Sequence, residues 1–459
     1  MKTHKYLFYI LASEIVLLLS YYSITFLNKG IDSYNLMSAF FIIIWVMMTT
    51  VFGYKAYKDR DLISPLIIYL FSLTIFVFFV LFMDMQSNIV FKMYAYEYKT
   101  EENLFKSIGM IILSVIAFYL PSRLIKLKKS NIKKYGEVNS FLDNKKVLLI
   151  INFILLLIVI LADIYISKKA YGSIFGRITK NYASGAELSI LRLLIYLYPM
   201  VIINFCYIYF KFGLSMPEKI SVILICLFIV SVNFLGGNRA LILSSIIGSL
   251  ALYYKVRGIN LKAVVFVGLI GIVMYTSFVF MQSYRVDKEV ASMTSYKWQY
   301  DTLDIALLVT DRYPRIENFS YGGSIKSLIL NPIPRKYYKN KPIAFGSHLG
   351  KITNPQDPNT VSSYAAVTPI EFYANFGVMG MLIFTFMLSC ILHKIYYTFG
   401  KSDNINLSTL LYINFIVGLY MVFRGDFTTK TIHLFLPLII FEVVKWIVYL
   451  CSYNRKRLN

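Results

Sequence analysis

Apolar runs of membrane-crossing length recur along this chain, separated by short polar connections. They fall near residues 6–27, 35–54, 62–83, 103–122, 147–166, 187–210, 218–235, 240–254, 261–281, 370–392, 406–423 and 431–450. A helix needs about 20 apolar residues to cross roughly 30 Å of hydrocarbon, so the pattern predicts about twelve transmembrane helices. One stretch breaks the rhythm. Residues 283–369 are polar and hold Arg285, Asp301, Asp304, Asp311, Arg312, Arg315, Arg335, Lys336, Lys339, Lys341 and His348, with turn formers in NPIPRKYYKNKP and TNPQDPN. The expected organisation is one membrane domain: helices one to nine over 1–282, a large polar loop over 283–369, and helices ten to twelve over 370–459.

Composition agrees with an all-α, polytopic membrane protein. Of 459 residues 58% are hydrophobic and 15% charged, against about 25% charged in soluble domains. Mean hydropathy is +0.62. A membrane β-barrel would show alternating segments of about ten residues, and this sequence does not. The four cysteines, Cys206, Cys226, Cys390 and Cys451, lie in or beside predicted spans without CxxC spacing, so neither a disulfide framework nor a zinc site is indicated. The first span is too long for a signal-peptide core and no small-residue cleavage site follows it, which predicts a retained anchor.

The net charge of +23 acts first as a topology signal. Lys55, Lys58 and Arg60 follow the second span, and residues 123–146 carry the densest basic run; short basic connections stay cytoplasmic. Both termini are then cytoplasmic, and 283–369 is extracytoplasmic. The basic run reads as a topology anchor before it reads as a lipid head-group site. Nucleic-acid binding is excluded, because the basic residues sit beside apolar spans.

Several residues stand out against this frame. Glu14 lies inside the first span and Asp163 near the outer end of the fifth; ionisable groups at such depth are functional or internally hydrogen-bonded. The connection after the fifth span faces outward yet carries Lys168, Lys169, Arg177 and Lys180, with Arg192 just beyond. An anionic ligand would explain them, and so would a solvated loop. GGNR separates the seventh and eighth spans, and Arg239 stands at the start of the eighth. Free N–H groups and a positive charge converge at such a helix start; a tight hairpin with a snorkelling arginine is the bland alternative. In TPIEFYANFGVMG, Pro369 suits a first helical turn, Glu371 and Asn375 share a face, Tyr373 lies near the membrane boundary, and Gly377 and Gly380 permit close helix approach. Arg424 and Asp426 join the last two spans as an ion pair at a turn. No outer segment shows metal-ligand spacing; Asp301 and Asp304 are three apart with nothing to join them.

The layout resembles the bacterial oligosaccharide repeat-unit polymerases, the Wzy-type O-antigen and capsule polymerases. The resemblance rests on FLGGNRALILSSIIGSL, on NPIPRKYYKNKP, on TPIEFYANFGVMG, and on many spans with one dominant outer loop. It implies a GT-C-like fold with that loop between helices nine and ten. It implies a metal-independent glycosyltransferase of the bacterial cytoplasmic (inner) membrane. Such an enzyme moves a growing glycan from undecaprenyl pyrophosphate onto the next lipid-linked repeat unit at the outer face. Membrane lipid and a chain-length regulator protein are implied partners.

Under that resemblance the leaving pyrophosphate needs fixed positive charge, which arginine supplies by charge-assisted, often bidentate bonds. Arg239 is the first candidate, then Arg335, Arg315 and Arg424, with Arg177, Arg192, Arg312 and Lys341 in support and Tyr373 and Asn375 alongside. The acceptor hydroxyl needs a base or an orienting acceptor. Glu371 and His348 are the candidates; GSHLG is similar to the catalytic-loop histidine segment of O-antigen ligases. A structural hydrogen bond for Glu371 and a solvated surface position for His348 are the plain alternatives. An O-antigen ligase, a lipid-linked oligosaccharide flippase and a non-catalytic assembly partner are the competing classes. A flippase would show deep intramembrane charge, internal repeats and short loops.

Overall fold

The computed structural model describes residues 33–86, 100–125, 144–171, 193–235, 239–258, 302–330, 338, 340, 342–353, 364–401, 406–425 and 427–458. The expected spans 6–27 and 261–281 lie outside them. The described residues are helical with no strand among them. Nine of their helices are long and apolar enough to cross a membrane, and Leu197–Phe212 is apolar but shorter. The chain forms two compact units. The first comprises Met1–Lys126, Lys297–Lys394 and Val422–Thr429; the second comprises Leu127–Tyr296, Ile395–Met421 and Lys430–Asn459.

In the first unit, α1 spans Ser33–Lys58, α2 Pro65–Leu73, α3 Phe79–Gln86 and α4 Glu101–Leu124. Pro65 opens α2 directly after Ser64, a position where a missing N–H goes unnoticed. Thr100 caps α4 by accepting the N–H of Asn103, and Glu101 and Glu102 occupy the positive end of that helix. Aromatic rings fill the centre. Tyr69 stacks on Phe118 at 4.3 Å, both meet Phe423 edge-on, and the Tyr69 hydroxyl bonds Ser114 at 2.7 Å. Trp45 lies flat on Phe78 and donates its indole N–H to Thr74.

A π-helical turn, Thr74–Phe78, joins α2 to α3. Such a turn disturbs the regular hydrogen-bond ladder, and here the Phe76 carbonyl accepts from the Thr302 hydroxyl at 2.6 Å. Thr302 begins α9, which spans Thr302–Arg312. Its residues from Thr302 to Thr310 are all buried, and Thr310 bonds Ser107 of α4 at 2.7 Å. Asp304, which falls in the expected polar loop, is 3% exposed. The polar stretch therefore contains a helix packed as core, with α10 (Gly323–Leu330) and α11 (Phe345–Thr353) after it. The helix α12 spans Thr368–Ile395.

In the second unit, α5 spans Lys145–Tyr171, α6 Leu197–Phe212, α7 Met216–Leu235 and α8 Arg239–Arg257. Two further helices, α13 (Leu407–Arg424) and α14 (Phe427–Leu458), lie largely in it and meet within the first unit's Val422–Thr429 segment. Small residues let the second unit's helices approach, as expected in a membrane where packing replaces the hydrophobic drive. A Cβ on Gly248 would collide with Ile203 and Val417. Asparagines link three helices: buried Asn204 donates to buried Asn152 at 3.2 Å, and half-buried Asn414 donates to Asn204 at 3.4 Å. At the start of α7 the Glu218 carboxylate reaches back to accept the Ser215 N–H at 2.7 Å, the glutamate half of a capping box, and Lys145 pairs with the same carboxylate.

Candidate functional site

The first turn of α12 and the α13–α14 connection are fastened together within the first unit. Glu371 is fully buried, and its Oε2 accepts the backbone N–H of Phe427, the first residue of α14, at 2.7 Å. A carboxylate at a helix start is favoured by both the free N–H groups and the helix dipole. One turn earlier, Thr368 donates its hydroxyl to the Val422 carbonyl at 2.6 Å, satisfying a last-turn group of α13. Gly425 sits between these bonds with φ +135°, and a side chain there would strike the Ala366 carbonyl. Only glycine combines that φ with that approach. The result holds Arg424 at the end of α13, its guanidinium 5.2 Å from the centre of the Phe76 ring.

The next turn of α12 is tied to the former loop. Asn375 donates to Ser324 and to the Glu371 carbonyl at 2.8 Å each, and its Oδ1 accepts from the Ser320 hydroxyl at 2.6 Å. The helix then breaks: Gly377 adopts φ +71°, ψ −172°. In an uninterrupted helix the carbonyls of Ala374 and Asn375 would serve residues 378 and 379. Here they accept from the N–H groups of Ser320 and Tyr321 at 3.1 and 2.9 Å. The glycine read from sequence as a close-packing residue thus redirects the chain, with the Phe319 ring against it. Tyr373 donates to the Tyr313 carbonyl at 2.7 Å and meets Phe319 edge-on. Burial pushes the Tyr313 phenol up to about 12.

The described arginines of the polar stretch differ in setting. Arg315 is held through Nη2 by both oxygens of Asp311 at 2.9 Å, while its side chain is 67% exposed. Asp311 is in turn bonded by Asn103 of α4 at 3.1 Å. Arg312 lies 3.9 Å from Glu317. His348 is half-buried on α11; burial lowers its pKa below the ordinary imidazole value, Glu317 opposes that shift, and Lys351 adds to it. Arg177, Arg192, Arg335, Lys341, Asp301 and Asp426 lie outside the described residues. Arg239 opens α8, and its side chain also lies outside them.

The structure brings Glu371, Tyr373, Asn375, Arg424, Arg312, Arg315 and His348 into one unit. It adds residues the sequence did not single out: Thr368, Ser320, Ser324, Phe427, Asn103 and Phe76. Only the Thr-Pro-x-Glu spacing at 368–371 hinted at a capping role, and that spacing points to the helix's own start rather than to α14.

Residues 9–457 match the family model described as O-antigen polysaccharide polymerase Wzy. Searches of curated proteins and of solved structures gave no match. The match covers nearly the whole chain, and apolar helices of membrane-crossing length run through it, so this multi-pass membrane protein belongs to the Wzy family of O-antigen polysaccharide polymerases.

Proposed function

We propose that the chain polymerises undecaprenyl-pyrophosphate-linked oligosaccharide repeat units into O-antigen or capsular polysaccharide at the outer face of the cytoplasmic membrane. The observation that carries this reading is the family match from residue 9 to residue 457. The reading includes a GT-C-like arrangement of about twelve spans, cytoplasmic termini, and residues 283–369 on the outer side.

In this reaction a hydroxyl at the non-reducing end of the incoming repeat unit attacks the anomeric carbon of the carrier-bound glycan. The new glycosidic C–O bond forms as the bond to the pyrophosphate breaks. The carrier leaves as undecaprenyl pyrophosphate with the bonding electron pair, and the hydroxyl proton passes to a base. Charge grows on the leaving oxygen, and arginines meet it without a bound cation. Arg315 suits this role because Asp311 fixes one end of the guanidinium and leaves the side chain open. Arg424 suits it because the turn carrying it is clasped on both sides. Arg239, Arg335, Arg177, Arg192, Arg312 and Lys341 complete the basic set. His348 is the better base, since burial favours its neutral, proton-accepting form. Glu371 serves as the anchor that keeps Arg424 in place. A chain-length regulator is the partner that this activity calls for.

The test is genetic. The gene is deleted and complemented with wild type, Arg424→Ala or Arg315→Ala, membrane levels are matched, and the surface glycan is resolved by electrophoresis. A ladder restored by wild type and collapsed to single repeat units in the variants supports the reading. Full-length polymer left on the carrier would assign a ligase instead, and loss of all outward-facing repeat units would assign a flippase.

A further inference from the structure

Tyr321 is a bulky residue in a backbone conformation that bulky residues avoid. Its φ is +44°, and the next residue, Gly322, has φ +86°. Glycine suits such a position without strain, whereas a side chain with a Cβ does not. Strain of this kind is ordinarily offset by packing, yet Tyr321 is 73% exposed. Its neighbour Phe319 behaves oppositely, with its ring turned inward against Gly377 and Tyr373. The segment is pinned, since the Tyr321 N–H donates to the Asn375 carbonyl, the Ser320 N–H to the Ala374 carbonyl, and a Cβ on Gly322 would press on Phe376. A hydrogen-bonded backbone therefore carries an exposed aromatic ring beside the Asn375 turn of α12, at a place where stability favours glycine.

We infer that Tyr321 is a stacking platform for a pyranose ring of the oligosaccharide repeat unit. A tyrosine offers a flat apolar face to the C–H face of a sugar. Because hydrogen bonds fix the backbone that carries the ring before the ligand arrives, little backbone freedom is lost on binding. The platform would take the repeat unit as a glycan and leave the pyrophosphate to the arginines. This rests on the reading of the chain as a glycan polymerase.

The experiment uses the purified full-length protein with Tyr321→Gly, Tyr321→Phe, Tyr321→Trp and Tyr321→Leu. Tyr321→Gly removes ring and strain together. It should melt at or above the wild-type temperature while its KM for the lipid-linked repeat unit rises about three- to tenfold, with kcat within about twofold. Phe and Trp should keep the wild-type KM, and Leu should not. A wild-type KM in Tyr321→Gly overturns the platform. So does a lowered melting temperature in that variant, which would make the tyrosine a structural or membrane-interface anchor, and so does full rescue by Leu. Two results separate this inference from its parent. A Tyr321→Trp emission change on adding the free, water-soluble repeat-unit oligosaccharide, in a protein that makes no polymer, keeps the platform and rejects the polymerase. Polymer formation with unchanged KM in Tyr321→Gly does the reverse.

Discussion

Glu371 reaches Phe427 across 56 positions of sequence, its Oε2 accepting that residue's backbone N–H at 2.7 Å. The bond needs an acceptor oxygen and does not need a proton-transfer group. Glu371→Gln should therefore keep most of the fold and activity through its amide oxygen. Glu371→Ala leaves a backbone donor without its partner and should lose about 1–3 kcal/mol. Thermal unfolding in detergent and the glycan ladder read both; a Gln variant as damaged as Ala would return Glu371 to the role of base.

Gly425→Ala is expected to be severe. The substitution meets both a φ of +135° and the Ala366 carbonyl, so the clasp must open. A loss of about 3 kcal/mol or more follows from such combined backbone conflict, seen as missing protein in membrane fractions. Normal levels of a fully active Gly425→Ala protein would mean the connection is looser than the geometry indicates.

His348 makes stability depend on pH. Its folded pKa lies below the ordinary value near 6.5, so the unfolded chain takes up the proton more readily. Stability from this group is complete above about pH 6.5 and falls as pH drops through that value, levelling off below the folded pKa. His348→Gln should flatten the dependence of the unfolding midpoint as pH falls below about 6.5. An identical slope in the variant would remove His348 as its source.

The asparagine chain in the second unit gives a milder effect. Asn204→Leu removes the bonds to Asn152 and Asn414 and should destabilise the protein by about 0.6–2 kcal/mol. Unfolding measured in detergent micelles checks this, and a stabilised variant would show that the polar link is dispensable.

The spanning helices were legible because long apolar runs have little choice in a membrane. The run read at 35–54 is the helix Ser33–Lys58, and 103–122 is Glu101–Leu124. The helix Thr302–Arg312 was hidden, since its short apolar centre IALLV is flanked by aspartates and arginines that make the whole stretch look solvated. Candidate chemistry was visible as residue types, with Glu371, Asn375 and Arg424 singled out. Their partners were not, because Ser324 lies 51 positions from Asn375 and Phe427 lies 56 from Glu371. Gly377 shows the same limit: the residue type allows both close packing and a positive φ, and only the fold chooses.

That break also settles a question of length. The 28 residues of α12 would form a rod of about 42 Å, against hydrocarbon about 30 Å thick. Residues 378–395, below Gly377, measure about 27 Å and can cover the hydrocarbon unaided. The turns above the break, which carry Glu371 and Asn375, are then surplus to the length that a crossing needs.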